Sequence, residues 1–206
     1  MHNGFAEMGM CLMVDKPPPP TPTATSLHDA ALRHLARYAT TQAGLLRVLD
    51  RRIMRWARVV APDDEAVAAA KAAARAEIAR LAKAGLLDDA AFAATRAQSL
   101  SRAGKSRRGI AAHLVVRGVA ASVAQEALPD DPDVELAAAI ALARRRRVGP
   151  FGAGPLDPAQ KLRALGSFAR AGFSQEMAQR ALAMDRADAE DVLHRVRAGT
   201  AISLAD

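Results

Sequence analysis

"DDAAFAATRAQSLSRAGKSRRGIAAHLVVRG", from Asp88 to Gly118, is the stretch that decides the fold of this chain. Asp88 is a residue type that caps helices, and the alanine-rich run behind it predicts a helix from Asp89 to about Ala103. Ser106 caps a second helix that runs to Arg117, and Gly118 supplies a left-handed stop. The result is a helical hairpin bent at Gly104-Lys105-Ser106-Arg107-Arg108-Gly109. Between Ala90 and Gln125 there is no Asp or Glu, whereas Arg96, Arg102, Lys105, Arg107, Arg108 and Arg117 supply six positive charges. Either the hairpin is a solvated face or it lies against something negative. Cations in the first turn of a helix oppose its dipole at about 0.3–1 kcal/mol each, which an anionic partner would offset.

The rest of the chain reads in the same way. Of its 206 residues 50% are hydrophobic but only 3% aromatic, so the core must come from Leu, Ile, Val and Ala. Alanine favours helix and buries little area, which suits closely packed helices, and no convincing strand alternation occurs. The chain is therefore expected to be all-α. A net charge of +7 and a pI of about 10.4 point to an acidic partner. The lone Cys11 excludes a disulfide framework, and the absence of a long apolar run excludes a transmembrane helix. The N-terminus lacks the pattern of a signal peptide, so a cytoplasmic location is expected.

Helix starts and stops divide the chain into units. Residues 1–26, ending in "KPPPPTPTATS", are expected to be a disordered Pro-rich tail, with Ser26 capping the first helix. Asp63, Asp131, Asp157 and Ser174 are further caps, the middle two each followed by proline. Gly85, Gly118 and Gly172 each follow a large apolar residue by four positions: Leu81, Leu114 and Phe168. This recurrence predicts three-helix repeats over 27–87, 88–131 and 132–199, the last with a C-terminal capping helix from Arg186 to Gly199. Units so poor in aromatics must share cores with their neighbours.

No catalytic constellation is legible. The histidines (His2, His28, His34, His113, His194) are scattered, and "GKSRRG" lacks the spacing of a phosphate-cradling loop. Asp88 and Asp89 read as capping residues, so neither an enzyme nor a cofactor is expected. Arg144, Arg145, Arg146 and Arg147 form a second cationic run, at a helix C-terminus where the dipole favours it. With so few aromatics to stack on bases, contact with DNA would run through phosphates.

The segment from Leu81 to Leu128 resembles the central signature of the RecX family, small regulators of the RecA recombinase. The matching positions are Leu81, Gly85, Leu86, Asp88, Asp89, Phe92, Ala93, Arg102, Gly104, Lys105, Arg108, Gly109, Ile110, Leu114, Gly118, Ala127 and Leu128. The resemblance implies tandem three-helix repeats forming an elongated, curved protein. It also implies binding to RecA and to the RecA–DNA filament, with inhibition of filament extension, ATP hydrolysis and strand exchange. The contacts expected are Arg96, Arg102, Lys105, Arg107, Arg108, Arg117 and Arg144 to Arg147, with Phe92, Leu114, Leu128 and Phe168 as core. The competing reading is an independent basic DNA-binding protein that contacts phosphates without sequence preference. On either reading, alanine at Lys105, Arg107 and Arg108 is expected to leave melting nearly unchanged.

Overall fold

The computed structural model describes residues 19–202, so Cys11 and the tail through Pro18 lie outside it. Among the described residues there is no strand, and ten α-helices follow in order: α1 (Ala24–Leu35), α2 (Gln42–Val60), α3 (Asp64–Lys83), α4 (Asp89–Arg102), α5 (Arg107–Arg117), α6 (Ala121–Glu126), α7 (Pro132–Arg146), α8 (Pro158–Ala171), α9 (Gln175–Ala183) and α10 (Arg186–Ile202). A single 3-10 turn, Gly149–Phe151, lies between α7 and α8. Asp63, Asp88, Ser106, Asp131, Asp157 and Ser174 each accept a backbone N–H within three residues, contributing about 1 kcal/mol apiece. The first cap differs from expectation. Thr23 Oγ1 accepts from Ser26 N at 3.2 Å, while the Ser26 hydroxyl turns back to the Thr23 carbonyl. Helix α1 thus starts at Ala24, inside the range assigned to the tail.

Buried residues form three apolar clusters. The first joins Leu27, Ala31, Leu45, Leu49, Ile53 and Trp56 of α1 and α2 to Ala70, Ala74, Ile78 and Leu81 of α3. The second holds Ala93, Ala97, Ile110, Leu114, Val119 and Leu128 from α4, α5 and the segments around α6. The third is built on α7 and closes over Phe168, Phe173, Ala178 and Ala181. Ala189, Val192 and Leu193 of α10 are buried in it, so α10 completes this core. Phe168 and Phe173, centroids 5.7 Å apart, supply most of the aromatic packing there.

One polar group is buried in the first cluster's wall. Glu77 is 6% exposed and accepts two hydrogen bonds from Arg80, at 2.8 and 3.0 Å. His28 Nδ1 lies 2.8 Å from the other carboxylate oxygen, a distance at which its N–H donates to the carboxylate. Burial opposes ionisation of Glu77, but the His28 and Arg80 hydrogen bonds and charges outweigh it and hold the carboxyl below its ordinary range. The pairing fastens α1 to α3.

The clusters are joined by a device that recurs. Thr41 Oγ1 accepts from Gly44 N at 2.9 Å and donates to the Arg117 carbonyl at 2.7 Å. Ser106 Oγ accepts from Gly109 N at 3.0 Å and donates to the Ala171 carbonyl at 3.0 Å. Each hydroxyl caps its own helix and grips the end of the corresponding helix in the following cluster. A carboxylate has no proton for the second bond. Asp157, the equivalent cap of α8, serves only its own helix through Gln160. The helix stops follow the same logic. A Cβ on Gly118 would lie 2.3 Å from Ala43 Cβ, and one on Gly172 would lie 2.3 Å from Ser106 Oγ. The equivalent stop after α2 is Ala61, left-handed at φ 47° and exposed. Gly85, grouped in the sequence with Gly118 and Gly172, instead precedes α4 and has open space around it. A left-handed stop looks the same in sequence whether it lies within a bundle or between two.

Candidate functional site

The expected cations are not one surface, and the connector that suggested them is largely a joint. Glu135, in the first turn of α7, accepts the Arg107 backbone N–H at 2.9 Å and so caps α5 from the neighbouring cluster. The Arg107 guanidinium donates to the Pro129 carbonyl and to Asp130 Oδ1, the latter at 2.8 Å. The chain thus supplies its own acceptors where the sequence suggested a missing anion. Arg107 is a fastener, and the triple alanine change at Lys105, Arg107 and Arg108 is now expected to lower the melting temperature. Arg145 donates to the Ala103 carbonyl at 2.6 Å, tying α7 to the end of α4.

Glu135 carries a consequence of its own. Half-burial raises its pKa, and the hydrogen bond and charge of Arg107 only partly oppose this. A carboxyl whose folded pKa exceeds its unfolded value adds stability below the unfolded value, and this is lost as pH rises through the folded one. Glu135→Gln keeps a carbonyl acceptor for Arg107 N and removes the charge. Its melting temperature should exceed that of the wild type at neutral pH. The difference should vanish near about pH 3.5, where the glutamate is protonated folded or unfolded.

The cations outside the joints fall into separate groups. Arg102 at the end of α4 and Arg144 near the end of α7 line one cavity of about 320 Å³. Arg197 of α10 joins them, and Val134, Ala137, Ala138, Ala141, Leu193 and Val196 form its apolar wall. All three arginines are exposed. The second group comprises Arg96 and Arg117, which border a groove of about 940 Å³ between the first two clusters. Arg96 Nε donates to His113 Nε2 at 3.5 Å. Burial and the charges of Arg96, Arg117 and Lys105 depress the His113 pKa, which marks a local positive field. The exposed Arg108 lies in the first turn of α5. Arg146 and Arg147 face a separate hollow with Arg163 beside the Gly152–Leu156 loop, Arg147 holding a left-handed cap at φ 55°.

Leu114, Leu128 and Phe168 are buried, whereas Phe92 is half-buried, packing on the second cluster while lining the groove. No local pattern marks Arg197, far along the chain from its companions, or the groove. Among the described residues no cluster of His, Cys, Asp or Glu could hold a metal ion, and no helix is long and apolar enough to cross a membrane.

The regulatory protein RecX of Myxococcus xanthus is 39% identical over 163 residues, a match spanning 77% of this chain and 84% of that protein. The chain belongs to the RecX family. The regulatory protein RecX of Agrobacterium fabrum is 41% identical over 107 residues, covering 52% of this chain and 57% of its own length. The family's second three-helix domain matches residues 88–128, which are α4, α5 and α6 with the Asp88 cap. A crystal structure of regulatory protein RecX shares the fold with a TM-score of 0.55 at 20% identity, over 77% of this chain and 70% of the other. RecX from Lactobacillus salivarius does so at 0.51 and 16%, over 77% and 94%. Residues 88–128, matched to that second domain, contain Arg96, Arg102, Lys105, Arg107, Arg108 and Arg117, while Arg144 and Arg197 lie beyond the domain.

Proposed function

We propose that this RecX-family chain is a non-enzymatic regulator that binds RecA and the RecA–DNA filament and inhibits filament extension, ATP hydrolysis and strand exchange. The three clusters act in this reading as tandem repeats over 27–87, 88–131 and 132–199, joined by the Thr41 and Ser106 hydroxyls. The observation that carries it is the convergence of Arg102, Arg144 and Arg197 from three helices on one apolar-walled cavity. Three guanidinium groups gathered at one cavity suit the successive phosphates of a nucleic-acid backbone. A filament offers that backbone together with protein surface.

The test is the DNA-dependent ATP hydrolysis of RecA with this protein titrated below the amount that covers the DNA, alongside fluorescence anisotropy on naked single-stranded DNA. Inhibition at substoichiometric amounts, with weak binding to DNA alone, supports the filament regulator. Inhibition that only tracks DNA occupancy sinks it and leaves the basic DNA-binding protein, which the same arginines favour as the second reading. That protein would weaken uniformly and steeply with salt.

A further inference from the structure

We infer that the groove between the first two clusters is a docking site for an amphipathic protein segment that carries carboxylates. Its walls come from the end of α1 with the loop after it, and from α4. Leu32, Tyr38 and Leu86 line it while 39%, 59% and 55% exposed, and Phe92 forms part of the floor. Large apolar side chains gathered in one concavity are costly to leave in water, and a soluble monomer seldom gathers them without a partner. Tyr38 is set in place by its neighbour His34, ring centroids 5.1 Å apart.

Charge selects the occupant. Arg96 and Arg117 border the groove, and neither is in an ion pair among the described residues. Asp88 also lines it, but its carboxylate is taken up by the N–H groups of Ala90 and Ala91. An apolar trough bordered by guanidiniums that form no ion pair among the described residues fits leucine- or phenylalanine-type side chains and a carboxylate on one segment. Nucleic acid would use the arginines and leave Leu32 and Leu86 in water. A helix laid into a groove through anchors one turn apart is a familiar geometry for such a segment. The groove is separate from the Arg102, Arg144 and Arg197 cavity, so protein and phosphate contacts fall on different junctions.

Naming RecA as the source of that segment rests on the function proposed above, and the test separates the two. The variant is Tyr38→Ser with Leu86→Ser, both positions exposed enough to spare the core. Helix content and melting should match the wild type. Co-sedimentation with RecA assembled on single-stranded DNA should weaken by about tenfold or more, the scale of losing an aromatic anchor. Anisotropy on naked DNA should change by less than about twofold, below the energy of one ordinary contact. Tyr38 is the sole tyrosine, so nitration followed by mass spectrometry reads the groove directly. The filament should slow that nitration.

Unchanged filament affinity in the variant, with Tyr38 unprotected, overturns the proposal and leaves the filament reading standing. Equal protection by naked DNA overturns it in favour of nucleic acid. If nitration of the wild type is slow and removal of residues 1–18 speeds it, the chain's own N-terminus is the occupant and the proposal fails. Where the wild type does not sediment with filaments at all, a fluorescein-labelled helical peptide of leucine and glutamate decides. Tighter binding to the wild type than to the variant supports the groove, and equal binding overturns it.

Discussion

Gly172→Ala is expected to remove roughly 2–5 kcal/mol of stability, combining about 1–2 for a side chain held left-handed with about 1–3 for overpacking. The residue has φ 97°, and its added Cβ would meet Ser106 Oγ at 2.3 Å and Gly109 N at 2.9 Å. Neither neighbour can yield cheaply. Ser106 is fully buried, and its hydroxyl is held by the Ala171 carbonyl on one side and Gly109 N on the other. The damage falls on the joint between the second and third clusters, leaving the cores intact. Trp56, the only tryptophan, is 5% exposed in the first cluster and reports on that cluster alone. In the variant, helix loss followed by circular dichroism should move to lower temperature by more than the Trp56 fluorescence transition. An unchanged melting curve would show that the joint is loose enough to absorb a methyl group. Ala61→Gly is the opposite case. Its left-handed position is exposed, so glycine relieves strain and gives up some unfolded-state entropy, for a net gain of at most about 1 kcal/mol.

What could be read in the sequence follows from how far each interaction reaches. Asp63, Asp88, Ser106, Asp131, Asp157 and Ser174 were legible as caps because each bonds an N–H two or three residues away. The cap of α1 was misplaced because "TPTATS" offers several hydroxyls in a row, and only the backbone decides between Thr23 and Ser26. The joints were not legible. Thr41 and Arg117 are 76 positions apart, Ser106 and Ala171 are 65 apart, and nothing local marks a hydroxyl that must also donate outward. The dispersal of the arginine runs was not legible for a related reason. Successive residues on a helix point about 100° apart, so a run contiguous in sequence is dispersed in space. Arg144 reaches one cavity, Arg145 a carbonyl of α4, and Arg146 another hollow. Arg102 and Arg144 come from different runs and share a cavity with Arg197, which belongs to none. Aggregate charge is legible in composition, but how the arginines are grouped on the surface is set only by the packing of the helices that carry them.

Alanine at Arg102, Arg144 and Arg197 together is expected to weaken binding to single-stranded DNA about a hundredfold at roughly 0.1 M salt, because each released phosphate contact scales the affinity by about the 0.7 power of the salt concentration. The slope of affinity against salt should become shallower by about 2 for the same reason. Folding should survive, since all three side chains are exposed and none forms an ion pair among the described residues. The control removes the same charge elsewhere. Arg51, Arg55 and Arg58 are exposed on α2, and their triple alanine variant also takes three units from the net charge of +7. If the two variants lose affinity equally, DNA responds to total charge and the cavity has no special part. If the cavity variant alone loses both DNA affinity and RecA inhibition, phosphate contact is the anchor of the regulator. A third outcome, weakened DNA binding with inhibition intact, would place the controlling contact on the recombinase, where the groove bordered by Arg96 and Arg117 is the surface able to supply it.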